Sequence, residues 1–319
     1  MSPFSVPPYS SRNRRATRSV GVCAMLRGYR ALVVPDGAGG GPGRDLAAPR
    51  EGVGYTHWSE EGRGMAWQRL LKVLGPIVFV TVLSTLAHSW AAERVTVHAA
   101  DGAALVGDLY LPTSQARQQA PLVVLLHMLS RQRSDWQPYI PRLTANGNAV
   151  LAMDLRGHGE SIHKGPARLS WRSFSRADYA RMPTDLLETL DALSAYRERI
   201  DLDRIAVIGA SIGCNVALVA AAERQAIRAL VLLSPGLDYR GIKTEEAMRR
   251  YGHRPILLVA SEADSYAAAS TRTLSGLAAG PKEIKIYTGR AHGTRILEDT
   301  PDAVTLLLGW LGRFFPHKP

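Results

Sequence analysis

Residues 207–216 read VIGASIGCNV and place a serine between two glycines, where a strand pattern gives way to a helix pattern. A run rich in β-branched residues leads into Gly-Ala-Ser-Ile-Gly, and an alanine-rich stretch follows. Gly-x-Ser-x-Gly between a strand and a helix is typical of a nucleophile elbow, a sharp turn that exposes the serine hydroxyl. Small residues also collect at ordinary strand-to-helix turns. Ser211 is therefore a candidate nucleophile that needs a base and an acid elsewhere in the chain.

Strand and helix patterns alternate on both sides of this stretch. The first two strand patterns alternate apolar and polar residues around Asp101-Gly102, a dipeptide that favours a hairpin turn. The later ones are almost continuous apolar runs, as in strands that are covered on both faces. We predict strands at residues 94–99, 104–112, 121–127, 148–154, 204–210, 227–234, 255–261 and 283–289. We predict helices at residues 135–147, 183–200, 266–279 and 301–314, with one more directly after Ser211.

This alternation predicts an α/β fold with a doubly wound, mostly parallel sheet and an N-terminal antiparallel hairpin. Only 20 residues, 235–254, lie between two of the predicted strands, too few for a large helical cap. Residues 160–182 form another short excursion, in which Trp171, Phe174 and Tyr179 are packing or pocket aromatics. We therefore predict no large cap domain and an open or lightly covered cleft, which favours small or exposed acyl esters.

Two further polar residues follow later strands. Asp264 comes just after PILLVAS, and His292 comes after EIKIYTG in the sequence RAHG. The carboxyl ends of parallel strands meet at one edge of the sheet, so both should lie near Ser211. A histidine can remove the serine proton, and a carboxylate can orient that histidine. Asp264 could instead cap the following helix, and Asp238 is a second, less favoured candidate acid.

The residues around Ser211 have simpler roles. Gly209 and Gly213 remove side chains that would collide at the elbow. Cys214 is expected to be a small apolar core residue. The stretch matches neither G-x-G-x-x-G nor G-x-x-x-x-G-K, so a bound nucleotide is not expected.

No metal or other cofactor is expected. The two cysteines, Cys23 and Cys214, have no metal-ligand spacing and cannot form a disulfide framework. His127 and His158 could be mistaken for a metal pair, but no carboxylate lies at ligand spacing.

The positive charge of the chain does not indicate a nucleic-acid partner. The formal net charge is +11, but the arginines are scattered and form no consecutive basic block. From Ala92 onward there are 28 basic and 23 acidic residues, a balance of +5. Nucleic-acid proteins usually concentrate their basic residues on one face or segment.

The first 91 residues have a different character. Residues 1–64 are rich in Gly, Pro, Ser and Arg and show no structural period, which predicts disorder or an extension upstream of the true start at Met65. Residues 65–91 contain a short basic region, an uncharged run of 15 residues at 73–87 and a small-residue cleavage pattern at Ser89-Trp90-Ala91. This layout predicts a signal peptide or a short signal-anchor. We expect a periplasmic or secreted protein, or alternatively one that contacts the membrane through an uncleaved 65–91 segment.

Residues 94–314 resemble the α/β-hydrolase superfamily, particularly its dienelactone-hydrolase-like and its acyl-esterase or monoglyceride-lipase-like members. The chain order Ser211, Asp264, His292 is that of the superfamily. DLRGHGES at 154–161 resembles a segment that these proteins carry after their fourth strand, and LLH at 125–127 resembles the strand end before their oxyanion loop.

The resemblance implies a catalytic domain over residues 92–319 and an oxyanion hole made of backbone N–H groups. The donors would be Leu129 and Ile212, with Met128 as an alternative, because this chain has His-Met-Leu where relatives commonly have His-Gly. It also implies that His158 braces the loop beneath the site.

We therefore predict a serine hydrolase that cleaves small-molecule carboxylic esters through a Ser-His-Asp triad and an acyl-enzyme. The alternatives are a thioesterase, amidase or peptidase with the same triad, or a non-catalytic binding protein on this fold.

Overall fold

The computed structural model describes residues 92–112 and 119–316. The predictions for 1–64 and 65–91 lie outside the described residues. All described residues belong to one unit, Glu61–Pro319. Within 92–112 and 119–316, no helix combines the length and the apolar character needed to cross a membrane.

A ten-stranded sheet forms the centre of the fold. Its strands are β1 Glu93–His98, β2 Ala103–Tyr110, β3 Ala120–Leu126, β4 Ala149–Met153, β5 His163–Lys164, β6 Ala167–Arg168, β7 Ile200–Ala210, β8 Ile227–Leu233, β11 Ile256–Ser261 and β12 Lys282–Tyr287. A separate two-stranded hairpin consists of β9 Asp238–Tyr239 and β10 Ile242–Lys243. Strands β4, β3, β7, β8, β11 and β12 lie side by side in this order and run parallel. Strands β1 and β2 form the predicted antiparallel hairpin at the β4 edge.

Eight α-helices surround the sheet in the described part of the chain. They are α1 Ile140–Ala145, α2 Arg176–Ala180, α3 Met182–Ala192, α4 Ile212–Glu223, α5 Glu245–Tyr251, α6 Ser265–Leu277, α7 Arg295–Asp299 and α8 Pro301–Phe314. Helices α6 and α8 occupy the predicted positions.

Two predicted helices were wrong in extent. The helix expected over 183–200 ends at Ala192, a short 3₁₀ turn follows, and Ile200 already begins β7. The helix expected over 135–147 is a 3₁₀ turn at Arg133–Trp136 followed by the short α1. Pro138 lies between these two pieces, and a proline has no N–H for the helical hydrogen bond.

The core has two layers, one on each face of the sheet. In β3, Leu122, Val124 and Leu126 pack into one cluster, and Val123 and Leu125 pack into the other. Side chains of a strand alternate between faces, so a strand covered on both sides must be apolar throughout. This confirms the interpretation of the continuous apolar runs.

The two excursions are short. Residues 160–182 hold β5, β6, a 3₁₀ turn at Trp171–Ser173 and α2, and residues 235–254 hold the β9–β10 hairpin and α5. Neither forms a large cap domain in the described residues. The predicted fold class is confirmed.

Candidate active site

Ser211 occupies the turn between β7 and α4 with a backbone conformation that few serines adopt. Its φ is 53° and its ψ is −120°. A positive φ in a residue that carries a Cβ atom stores backbone strain, which the surrounding structure has to support. The Ser211 N–H donates to Leu233 O of the neighbouring β8 at 2.8 Å, and the residue is 7% exposed.

The two glycines of the elbow are required by close backbone approach. A Cβ atom on Gly209 would lie 2.4 Å from Gly213 O. A Cβ atom on Gly213 would lie 2.6 Å from Leu126 O and 2.8 Å from His127 O, at the end of β3. Any side chain here would push α4 away from the sheet, so the Gly-x-Ser-x-Gly pattern has a steric cause.

The structure brings together the three residues predicted from three strand ends. His292 Nε2 lies 2.7 Å from Ser211 Oγ, and His292 Nδ1 lies 2.6 Å from Asp264 Oδ2. With the Nδ1 proton donated to the carboxylate, Nε2 is free to accept the serine proton. The His292 side chain is 36% exposed and that of Asp264 is 16% exposed, so the imidazole faces solvent while the carboxylate is sheltered.

Asp264, and not Asp238, is the carboxylate that contacts His292. Asp264 is the N-terminal cap residue of α6, but its side chain makes no capping hydrogen bond. It bonds to His292 instead. Asp238 Oδ1 accepts from the Gly241 N–H at 2.6 Å, within the β9–β10 hairpin.

The predicted oxyanion donors lie at the start of α4 and on the loop after β3. Ile212 is the first residue of α4, and the first N–H groups of a helix have no intrahelical acceptor. The Met128 side chain lies close to the residue after His292, since a Cβ atom on Gly293 would lie 2.9 Å from Met128 Sδ. Leu129 is half-buried and packs against the core. The roles of these N–H groups stay predictions.

The DLRGHGES segment shapes the edge of the site. Asp154 is fully buried and accepts hydrogen bonds from Arg133 N at 2.7 Å, from the Arg133 guanidinium and from Glu160 N at 2.8 Å. A Cβ atom on Gly159 would lie 2.1 Å from Asp154 Oδ2, so the turn needs glycine there. The Ser161 hydroxyl donates to Asp154 O at 2.8 Å. These bonds fasten the loop after β4 to the loop after β3.

Arg156 of the same segment joins two other parts of the fold. Its guanidinium bonds to Asp185 of α3 at 2.5–2.8 Å and to Asp101 of the β1–β2 turn at 2.7 Å. The Arg156 hydrogen bonds hold the pKa of Asp101 well below its usual range. The pair of Arg156 and Asp185 is buried, so either charge would be strongly unfavourable without the other.

His127 and His158 have structural contacts. His127 Nε2 accepts from Leu155 N at 2.9 Å, and its Nδ1 donates to Met128 O at 2.8 Å. The His158 ring stacks on Trp171 at 5.5 Å between centroids, and its Nδ1 donates to Arg156 O. Burial lowers the pKa of both histidines to about 4. Across residues 92–112 and 119–316, no three His, Cys, Asp or Glu side chains cluster in a way that could hold a metal ion.

Cys214 has the predicted packing role. The side chain is fully buried, and its thiol lies 3.1 Å from both Gly209 O and Leu233 O. Burial raises the pKa of this thiol well above its ordinary value. A protonated, inaccessible thiol is unreactive.

Tyr239 is a residue of the site that the sequence did not indicate. Its ring stands edge-on to His292 at 6.4 Å between centroids and edge-on to Tyr266 at 5.5 Å. The only local sign is Gly236, where a Cβ atom would lie 2.7 Å from the Tyr239 ring.

A cleft of about 520 Å³ opens beside the predicted oxyanion loop, and Ser211, Asp264 and His292 are not among its lining residues. Its walls are the loop after β3 and the excursion after β4. Most of the lining side chains are polar or basic, among them Ser130, Arg131, Arg168, Ser170 and Arg172.

Parts of this chain are similar in sequence to known hydrolases. Residues 117–253 match the family model described as serine aminopeptidase, S33. Hydrolase acrC of Aspergillus aculeatus is 32% identical over 138 residues, which are 40% of this chain and 31% of that protein. Hydrolase LUC6 from a Fusarium species is 28% identical over 155 residues, 46% of this chain and 34% of that protein. The chain thus spans about a third of the length of the curated relatives it matches.

Solved structures share the architecture. A dienelactone hydrolase from Anabaena variabilis is 23% identical with a TM-score of 0.56, over 72% of this chain and 98% of that one. An esterase from Pyrococcus furiosus is 19% identical with a TM-score of 0.54, over 71% of this chain and 92% of that one. At these identities the likeness shows the fold. Together with the match of residues 117–253, it shows that this chain has the α/β-hydrolase fold and contains a segment similar to hydrolases of that fold.

Proposed function

We propose that this chain is a serine hydrolase that cleaves carboxylic esters, with Ser211 as nucleophile, His292 as base and Asp264 as the orienting acid. The observation that carries the proposal is the pair of hydrogen bonds at His292, 2.7 Å to Ser211 Oγ and 2.6 Å to Asp264 Oδ2. A serine hydroxyl needs such a base to become nucleophilic. The strained backbone of Ser211 supports the same role, since strain of this kind concentrates at functional sites.

The reaction proceeds through an acyl-enzyme. His292 Nε2 takes the proton of Ser211 Oγ, which attacks the ester carbonyl carbon. The N–H groups of Ile212 and of Leu129 or Met128 hold the negative oxygen of the tetrahedral intermediate. The carbon–oxygen bond to the alcohol then breaks, and His292 gives its proton to the departing oxygen. Water, activated by the same histidine, releases the acid and restores Ser211.

We expect substrates with short or exposed acyl groups. The described residues contain no large cap that would shelter a long apolar chain. Hydrolysis of an amide or peptide bond is the second candidate, because the matching family model is described as a serine aminopeptidase. Esters are favoured because an esterase is among the solved structures with this fold.

Turnover of p-nitrophenyl acetate and butyrate by the wild type and by Ser211→Ala tests the mechanism. We expect Ser211→Ala to lose activity and labelling by a fluorophosphonate probe. Ser173→Ala, which removes an exposed hydroxyl bonded to Ser170 O, should keep both. Equal rates for wild type and Ser211→Ala would disprove the proposal. A parallel set of aminoacyl p-nitroanilides and thioesters separates the ester from the amide and thioester alternatives.

We also propose that residues 65–91 direct the protein to the periplasm or out of the cell. N-terminal sequencing of the native, exported protein tests this. A new N-terminus near Ala92 is expected, and an intact residue 1 on the exported form would contradict it.

A further inference from the structure

The β9–β10 hairpin, which carries Tyr239, is fastened firmly beside the nucleophile. Asn215 of α4, four residues after Ser211, donates to Ile242 O at 2.7 Å and accepts from Gly236 N at 3.2 Å. The Thr244 hydroxyl donates to Gly236 O at 2.8 Å. The hairpin therefore has a fixed position relative to the elbow.

Aromatic contacts fix the Tyr239 ring within this hairpin. Tyr266 of α6 stands against one side, and its hydroxyl bonds to both backbone groups of Asp238, at 2.9 and 3.1 Å. His292 lies at another edge of the Tyr239 ring. The phenol hydroxyl consequently cannot move far from the triad without moving the backbone that holds it.

The Tyr239 hydroxyl is a protonated donor without a strong acceptor. It donates to Ser234 O at 3.4 Å, a long contact for an O–H donor. Burial raises the pKa of Tyr239, and contact with the Ser211 hydroxyl offsets only part of that rise. The phenol therefore keeps its proton at neutral pH and is available to donate it in a hydrogen bond next to Ser211.

The position of Tyr239 distinguishes between the two oxygens that gain charge during the reaction. In the sheet, β7 lies between β3 and β8. The predicted oxyanion loop with Met128 and Leu129 follows β3, whereas Tyr239 follows β8, on the other flank of Ser211. His292 must reach the departing oxygen to protonate it, and Tyr239 packs against His292. The Tyr239 hydroxyl is thus placed beside the leaving group and away from the oxyanion.

We propose that the Tyr239 hydroxyl donates a hydrogen bond to the leaving-group oxygen as the ester bond breaks. This inference rests on the proposed function. The carbon–oxygen bond breaks with its electron pair on the leaving oxygen, which takes the proton from His292 Nε2. Tyr239 keeps its own proton and stabilises the charge that develops before that transfer is complete. During deacylation the attacking water occupies the same place and meets the same hydroxyl.

The test is the dependence of kcat/KM on the leaving group in a series of acetate esters, from p-nitrophenyl through phenyl to ethyl. In Tyr239→Phe we expect a loss of about tenfold for the ethyl ester, the size of one lost hydrogen bond at a transition state. For the p-nitrophenyl ester we expect less than about twofold, since p-nitrophenolate needs little stabilisation. Tyr196→Phe is the matched control, because Tyr196 lies in the 3₁₀ turn before β7, at the end of that strand remote from Ser211. It should leave the ratio of the two rates as in the wild type.

The ratio of the ethyl to the p-nitrophenyl rate does not depend on the fraction of folded protein, so partial misfolding of Tyr239→Phe leaves the test valid. An unchanged ratio in Tyr239→Phe, whether the absolute rates fall or not, overturns the inference alone. Wild-type protein that cleaves no ester and takes no fluorophosphonate label overturns the proposed function, and the inference with it.

Discussion

Replacing Gly209 by alanine tests whether the elbow geometry, and not merely the presence of the triad residues, sets the rate. The new Cβ atom would lie 2.4 Å from Gly213 O, and real Cβ atoms essentially never approach closer than 3.0 Å. The end of β7 and the start of α4 must therefore separate by at least about 0.6 Å, since the obstacle is backbone and cannot rotate away. Ser211 lies between the two elements that separate.

The displacement is large compared with the tolerance of the hydrogen bond. If it falls on the contact between Ser211 Oγ and His292 Nε2, the present 2.7 Å becomes about 3.3 Å, beyond the normal range. A misplacement approaching 1 Å costs on the order of 100-fold in rate. We expect kcat for p-nitrophenyl butyrate to fall about 100-fold, with a loss of roughly 1–3 kcal/mol in the free energy of unfolding.

Steady-state kinetics and thermal unfolding on the same samples check this prediction. Gly309→Ala is the matched control, because Gly309 lies inside α8 and a Cβ atom there meets nothing within 4 Å. It should keep the wild-type kcat and raise stability by roughly 0.5–1 kcal/mol. Folded Gly209→Ala with kcat within about threefold of wild type would refute the steric reasoning.

Three further predictions follow from the hydrogen bonds and charges around the site. Asp264→Asn should lower kcat by about 10⁴-fold, because His292 loses the partner that holds it in the correct tautomer. Asp238→Asn should keep most of the activity, and similar losses in both variants would contradict the assignment of Asp264 as the acid. Arg156→Met should lower the free energy of unfolding, measured with urea, by roughly 3–5 kcal/mol, because it leaves the buried Asp185 carboxylate without its partner. A loss below about 1 kcal/mol would contradict this, since it would show that water readily reaches the carboxylate. Burial lowers the pKa of His127 and His158 to about 4, so the unfolded chain binds more protons between pH 6.5 and 4. The free energy of unfolding should have its full value above about pH 6.5 and fall as the pH drops toward 4, by up to about 3 kcal/mol for each histidine. His158→Gln should show a smaller fall between pH 7.5 and 4.5, and a fall identical to that of the wild type would contradict the prediction.

The parallel strands could be predicted because strands that are buried on both faces consist of consecutive apolar residues. Strand β3 is buried along its whole length, and so is β4, so each reads as an unbroken apolar run. The end of α3 could not be predicted in the same way. Ile200 and Leu202 fit a continuing helix as well as the alternation of a strand, and pairing with β3 decides in favour of β7.

The proximity of Ser211, Asp264 and His292 could be predicted from chain order because each residue follows a strand of the same parallel sheet. Tyr239 could not, since its place beside His292 depends on a hairpin whose turn, Arg240-Gly241, has positive φ at both residues. The hairpin depends on hydrogen bonds to Asn215 of α4 and Ser270 of α6, which the local sequence around Tyr239 does not indicate.

The hydrogen bonds of Asn215 limit how residues 235–254 could be exchanged for a segment of another protein. Residues 235–254 leave and re-enter the sheet between neighbouring strands, so they can be exchanged as a cassette with the corresponding segment of a relative. The cassette is also attached between its two ends, since Asn215 of α4 holds it through Gly236 N and Ile242 O, and Ser270 of α6 holds it through Leu237 N. A graft that ignores this amide would join correctly at both ends and still lack the support that places its side chains next to Ser211.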